Sequence, residues 1–251
     1  MSLVSSPHVP PTRSPTSVST LGWQEHSTAP GGGGDMVALI VFSGPGDRAD
    51  GIAAYMRALG WRVVEIDILV GGAAHDMANP STAATLIARV ATGEFAVVFL
   101  APPCSSYSVA HRPKLRSAAQ PEGVTPIPAA WAAYLAKHNR MTAAAFDIVS
   151  AARSSGAHVM MENPADRGAE GPAYWHKHRD HGSLWRTQRA RQAGLINFTY
   201  AQCAFSATWQ KLTTLAASPT MATSITMLET MQCVHGGGRH PTQAHGRDAS
   251  G

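Results

Sequence analysis

An α/β fold, with a mostly parallel sheet covered by helices on both faces, is what this sequence predicts, and three observations predict it. Short apolar runs alternate with helix-like segments between residues 36 and 216. Most of those runs stop close to glycine or proline, as strands do where they pass into turns. At 251 residues, 44% hydrophobic and 14% charged, the chain can bury a sizeable core and is not wholly disordered. Strand–helix–strand alternation of this kind places crossover helices against a parallel sheet.

The elements follow in order. Residues 1–34 are rich in Ser, Thr, Pro and Gly and end in Gly31-Gly32-Gly33-Gly34, so a disordered tail is expected there. Residues 35–235 are expected to form one domain, followed by a flexible tail over 236–251. Residues 36–42 read as a buried strand leading into a glycine turn, and 51–59 as a helix closed by Gly60. A second strand is expected over 61–68, a helix over 81–91, and a third strand over 95–100, broken by Pro102-Pro103. A long alanine-rich helix over 129–155 leads to a fourth strand, 158–161, cut off by Asn163-Pro164. Two more strands, 197–203 and 211–216, are separated by a turn.

Composition narrows the function classes. No run of eighteen apolar residues occurs, so a membrane span is not expected, and residues 1–7 lack the charged and apolar regions of a secretory signal. Three cysteines (Cys104, Cys203, Cys233) fit a reducing, intracellular compartment, the nucleus in a eukaryote, rather than a disulfide framework. The net charge of +4, with 16 arginines among 20 basic residues, favours a polyanionic partner or reflects genome base composition. Basic residues interleaved with Trp175 and Trp185 over 174–191 suit phosphates and stacked bases, or form a solvated loop over core tryptophans.

In parallel sheets the chemistry sits at the carboxyl ends of the strands, and the reactive residue types cluster there. The first strand ends in Phe42-Ser43-Gly44-Pro45-Gly46, where glycines let the backbone approach a ligand closely. The second carries Glu65 and Asp67, carboxylates suited to a ribose diol, or simply a solvated strand end. The third ends in Pro102-Pro103-Cys104-Ser105, which presents a thiol on a stiff turn. The fourth ends in Glu162-Asn163, and partial burial of Glu162 would suit it to donate a proton.

In this order the motifs resemble those of the cytosine-C5 DNA methyltransferases, as a short, divergent member of mobile-element or viral type, over residues 36–215. The resemblance implies a Rossmann-like methyltransferase fold that uses S-adenosyl-L-methionine. It makes Cys104 the nucleophile toward cytosine C6 and Glu162 the residue that holds the base at N3. Phe42, Ser43, Gly44, Gly46, Glu65, Asp67, Asp76 and Pro102 would contact the cofactor. Pro103, Ser105, Asn163, Gln210 and Lys211 would contact the base or nucleic acid. DNA is the implied partner, with RNA as the alternative.

The chain departs from the family at its Gln-x-Arg-x-Arg motif. Gln210-Lys211 stands nearest to it, and Arg189 with Arg191 is the other match. Little chain remains after Thr213 for a target-recognition domain, so a recognition partner is expected, or a decayed protein that binds nucleic acid without catalysis. Cys203, Cys233, His235 and His240 are zinc-ligand types, but Cys-x-His-x4-His is not a standard knuckle, and no metal is expected.

Overall fold

The computed structural model describes residues 25–26, 36–46, 48–207, 209, 211–233, 235 and 240. The expected tails over 1–34 and 236–251 lie outside these, apart from Glu25, His26 and His240. Strands and helices run β1 (Glu25–His26), β2 (Val37–Val41), α1 (Ile52–Ala58), β3 (Arg62–Ile66), α2 (Ile68–Gly71), α3 (Pro80–Ala91) and β4 (Val97–Leu100). They continue as α4 (Ala129–Ser154), β5 (His158–Pro164), α5 (Gln188–Gln192), β6 (Ile196–Ala201), β7 (Leu212–Ala217) and α6 (Pro219–Ile225).

The strands form one sheet in the order β1-β3-β2-β4-β5-β7-β6. Strand β2 alternates its side chains between two apolar layers, which is why the run reads as continuously hydrophobic. Val37, Leu39 and Val41 pack into the larger layer, with Leu86 and Val90 of α3 and Met141, Ala145, Ile148 and Ala152 of α4. Those four α4 positions recur at helical spacing and form its inner face. Ala38 and Ile40 turn to the opposite layer with Ala53 of α1. Helices therefore cover both faces. None among the described residues is long and apolar enough to cross a membrane.

The structure corrects two expectations. The sheet is mixed rather than mostly parallel. Strands β3, β2, β4 and β5 run parallel, whereas β7 is antiparallel to both β5 and β6. The reason is local: Ala201 pairs directly with Leu212, and a connection that short returns antiparallel, since a parallel crossover needs a dozen or more residues. The fourth strand is not cut off at Asn163-Pro164. It runs through Pro164, paired with Thr213 of β7, and leaves no N–H unmade because proline has none. The turn after the second strand also holds more than expected, since Asp67 caps the short helix α2 by accepting from Leu69 N at 2.8 Å.

The segment 101–128 between β4 and α4 has little regular structure and is fixed by one buried cation. The Arg116 guanidinium donates to Ser106 Oγ (3.2 and 3.1 Å), Pro121 O (2.6 Å) and Asn139 Oδ1 (2.7 Å). It also lies 3.8 Å over the Tyr107 ring. After β5, burial opposes ionisation of Asp166, yet hydrogen bonds from His181, Arg186 and Gly168 N hold its carboxyl at about 2.

Candidate active site

The glycine turn begins with backbone strain. Phe42 sits in the left-handed region at φ 61°, which non-glycine residues rarely adopt, and Gly44 follows at φ 74°. Gly44 N donates to Asp67 Oδ2 at 2.9 Å, so the carboxylate that caps α2 also fixes the turn. Beyond it opens a cleft of about 430 Å³. Phe42, Ser43, Gly44, Gly46 and Glu65 line it, together with Phe99, Ala101, Glu162, Tyr200, Gln202 and Lys211. Glu65 is buried and ion-paired with Arg57 of α1.

Beside this cleft three groups share one electrostatic environment. Burial pushes the Cys104 thiol above its ordinary pKa, Lys211 pulls it back down, and Glu162 pushes it up again. Lys211 Nζ donates to Glu162 Oε1 at 3.2 Å. An antiparallel β7 brings Lys211, the residue just before its first, to Glu162 near the carboxyl end of β5. The mixed sheet thus supplies a lysine that a parallel strand would have carried to the opposite edge.

The turn that bears Cys104 is held from below. Fully buried Asn163 donates from Nδ2 to Pro102 O at 2.9 Å, which joins the ends of β4 and β5. Ser105 Oγ and Tyr134 OH of α4 lie 2.7 Å apart, and the His138 ring interacts with the Pro103 carbonyl while packing 4.2 Å from the Tyr134 ring. Ser105 and Asn163 therefore position the turn. Neither lines the cleft.

Of the residues expected at the cofactor, Phe42, Ser43, Gly44, Gly46 and Glu65 line the cleft. Asp67, Asp76 and Pro102 are not among its lining residues. Asp67 braces the turn, and Asp76 accepts from Ala78 N at 2.9 Å with Lys137 Nζ 3.9 Å away. Among the residues expected at the base, Lys211 reaches Glu162, whereas Gln210 lies outside the described residues. Arg189 ion-pairs with Asp147 of α4 beside a separate groove, so it does not line this cleft. Sequence reasoning missed Arg116, His138 and Asn139, whose roles arise from tertiary contact alone.

A basic surface lies beyond the turn. Burial lowers the His178 pKa, and Arg167, Lys114 and Arg112 add to the effect, so these cations converge on one region. Trp175, exposed beside Tyr174, takes Arg167 at 5.6 Å and Lys177 at 5.4 Å over its ring. Trp185 is not part of that surface; it packs on the core and donates to Pro164 O at 2.9 Å. Arg186 is committed to Asp166.

The shared environment makes a testable statement about Cys104. Lys211→Met should slow alkylation of Cys104 several-fold at pH 8, and Glu162→Gln should speed it, read by iodoacetamide labelling and site-resolved mass spectrometry. Equal rates in parent and both variants would break the link between the three groups.

No family model matches the sequence, and no curated protein matches it.

Proposed function

We propose that the chain transfers a methyl group from S-adenosylmethionine to C5 of cytosine in DNA. The carrying observation is that Cys104, Glu162 and Lys211 influence one another at the ends of adjacent strands, beside a cleft that starts at a glycine turn. The cleft suits the cofactor. It is roomy, Gly44 and Gly46 line it without side chains, and Glu65, also in its lining, supports a contact to a ribose diol. A carboxylate has about four lone-pair sites, enough for the diol beside Arg57. When bound, the cofactor supplies an electrophilic methyl group.

The residues divide the remaining work. Glu162 holds a flipped-out cytosine at N3, its carboxylate accepting from the protonated ring nitrogen, which draws electrons from the ring. Lys211 favours the Cys104 thiolate, which adds to C6 and makes C5 nucleophilic. After methylation the C5 proton passes to water as the C6–S bond breaks, which restores the ring and returns the Cys104 thiolate. The basic surface around Trp175 supports a nucleic-acid partner by phosphate contact and stacking, and RNA would satisfy the same contacts.

The deciding experiment is incubation with DNA containing 5-fluorocytosine and the cofactor. A covalent adduct on Cys104 is expected, because fluorine cannot leave C5 as the proton does. Salt-sensitive DNA binding without any adduct would instead select the non-catalytic reading, which the same basic surface favours.

Cofactor binding distinguishes the two strand-end acids. Glu65→Ala should weaken S-adenosylmethionine binding more than Asp67→Ala, since only Glu65 lines the cleft. Asp67→Ala should lower stability by about 1 kcal/mol through loss of the α2 cap. Calorimetry with the larger affinity loss at Asp67 would reverse the assignment.

A further inference from the structure

We propose that Cys203, Cys233, His235 and His240 bind one zinc ion in a closed, structural site. Their spacing argued against a metal, but folding gathers all four, and one ligand atom from each lies within 4.8 Å of the other three. Four ligands around tetrahedral zinc stand about 3.3–3.8 Å apart, given bonds of ~2.3 Å to sulfur and ~2.0 Å to nitrogen. The Cys233 Sγ to His240 Nε2 distance of 3.2 Å already approaches that spacing.

The surroundings point to the same occupant. His235 Nδ1 is buried with no hydrogen-bond partner, a costly arrangement unless a ligand takes its lone pair. The His235 and His240 rings pack at 4.4 Å between centroids. Neither Cys203 nor Cys233 is in a disulfide. Two thiolates and two imidazoles in tetrahedral reach select zinc over calcium or magnesium, which prefer oxygen. Four protein ligands leave no open position, so the ion would hold structure rather than activate water.

Placement gives the ion its task. Buried Cys203 sits in the turn just after β6, while Cys233 and both histidines come from the segment following α6. That segment returns beside β6, where Ala201 N donates to Met231 O at 2.9 Å. The neighbour of Cys203, Gln202, donates from its backbone N to Lys211 O at 2.9 Å, and both residues line the cleft. Zinc would therefore fasten the chain's last described segment to the wall that carries Lys211. The proposal does not rest on the methyl-transfer reading, because it concerns metal content and stability alone.

The test is metal analysis of the full chain, purified reduced and dialysed against dilute zinc. One zinc per chain is expected, and cobalt in its place should give the visible ligand-field bands of a tetrahedral sulfur–nitrogen site. His240→Ala and Cys233→Ser should each lose most of the bound metal. Chelation of the parent should lower Tm by roughly 8 °C or more, restored by zinc. If a variant fails to fold, the cobalt spectrum of the parent still decides the matter. Folded parent without stoichiometric zinc, variants that keep it, or a Cys203–Cys233 disulfide by mass would each overturn the proposal.

Discussion

Cys104→Ser is expected to cut methyl transfer at least about a thousand-fold while cofactor affinity stays at the parent value. The thiol is already poised against ionisation by burial, and Lys211 only partly offsets this. A serine hydroxyl in the same place is far harder to ionise than a thiol at neutral pH, so the adduct at C6 is not expected to form. Cys104 is not among the residues that line the cleft, so the glycine turn and Glu65 should be untouched. Isothermal titration beside a tritium-transfer assay checks both halves. A serine variant with more than a few per cent of parent activity would remove Cys104 from the chemistry. Parent activity itself should rise with pH above neutrality, since the resting thiol lies above its ordinary range.

The second large effect is on stability at acid pH, through His138. Burial pulls its imidazole down to about 4, and neighbouring Arg116, His111 and Lys137 also disfavour its charge, while the Pro103 carbonyl opposes them. The unfolded chain takes up this proton near pH 6.5, and the folded chain does not until about 4. The neutral ring therefore stabilises the fold fully above pH 6.5, and that contribution is lost as pH falls toward 4. It amounts to about 3 kcal/mol and is level below that point. His138→Gln should flatten the parent's slope across this window, as measured by urea unfolding at pH 7, 5.5 and 4. Parallel curves for parent and variant would show that another group carries the slope.

Much of this arrangement could be read in the sequence, for a physical reason. Strands and helices announce themselves by local period, so β2, β3, β4 and α4 fall within a residue or two of expectation, with β4 starting late at Val97. Cys104 and Glu162 could be placed at one sheet edge because Cys104 follows apolar β4 after a short turn and Glu162 stands near the end of β5, and a sheet brings successive strand ends together. Strand direction was harder. Nothing in residues 212–217 encodes antiparallel pairing; it follows from the short link to β6. Asn163 was expected at the base and instead ties Pro102, because its burial depends on β7 covering the end of β5. Arg116 and His138 gave no signal. A lone cation in a long loop reads as solvated until the fold surrounds it. The Cys203 cluster was visible as residue types but not as a site, since its first ligand lies far from the other three along the chain.

One feature of the sheet has an evolutionary side. Leu100 and Met161 face each other across the β4–β5 ladder, so Cys104 and Glu162 leave from neighbouring rungs of one scaffold. Their separation is inherited from a pairing that the core already requires. The edge strand β6 can then vary without altering the β4–β5 register that sets that spacing. A lineage built on this sheet can vary its edge while β4 and β5 stay in register.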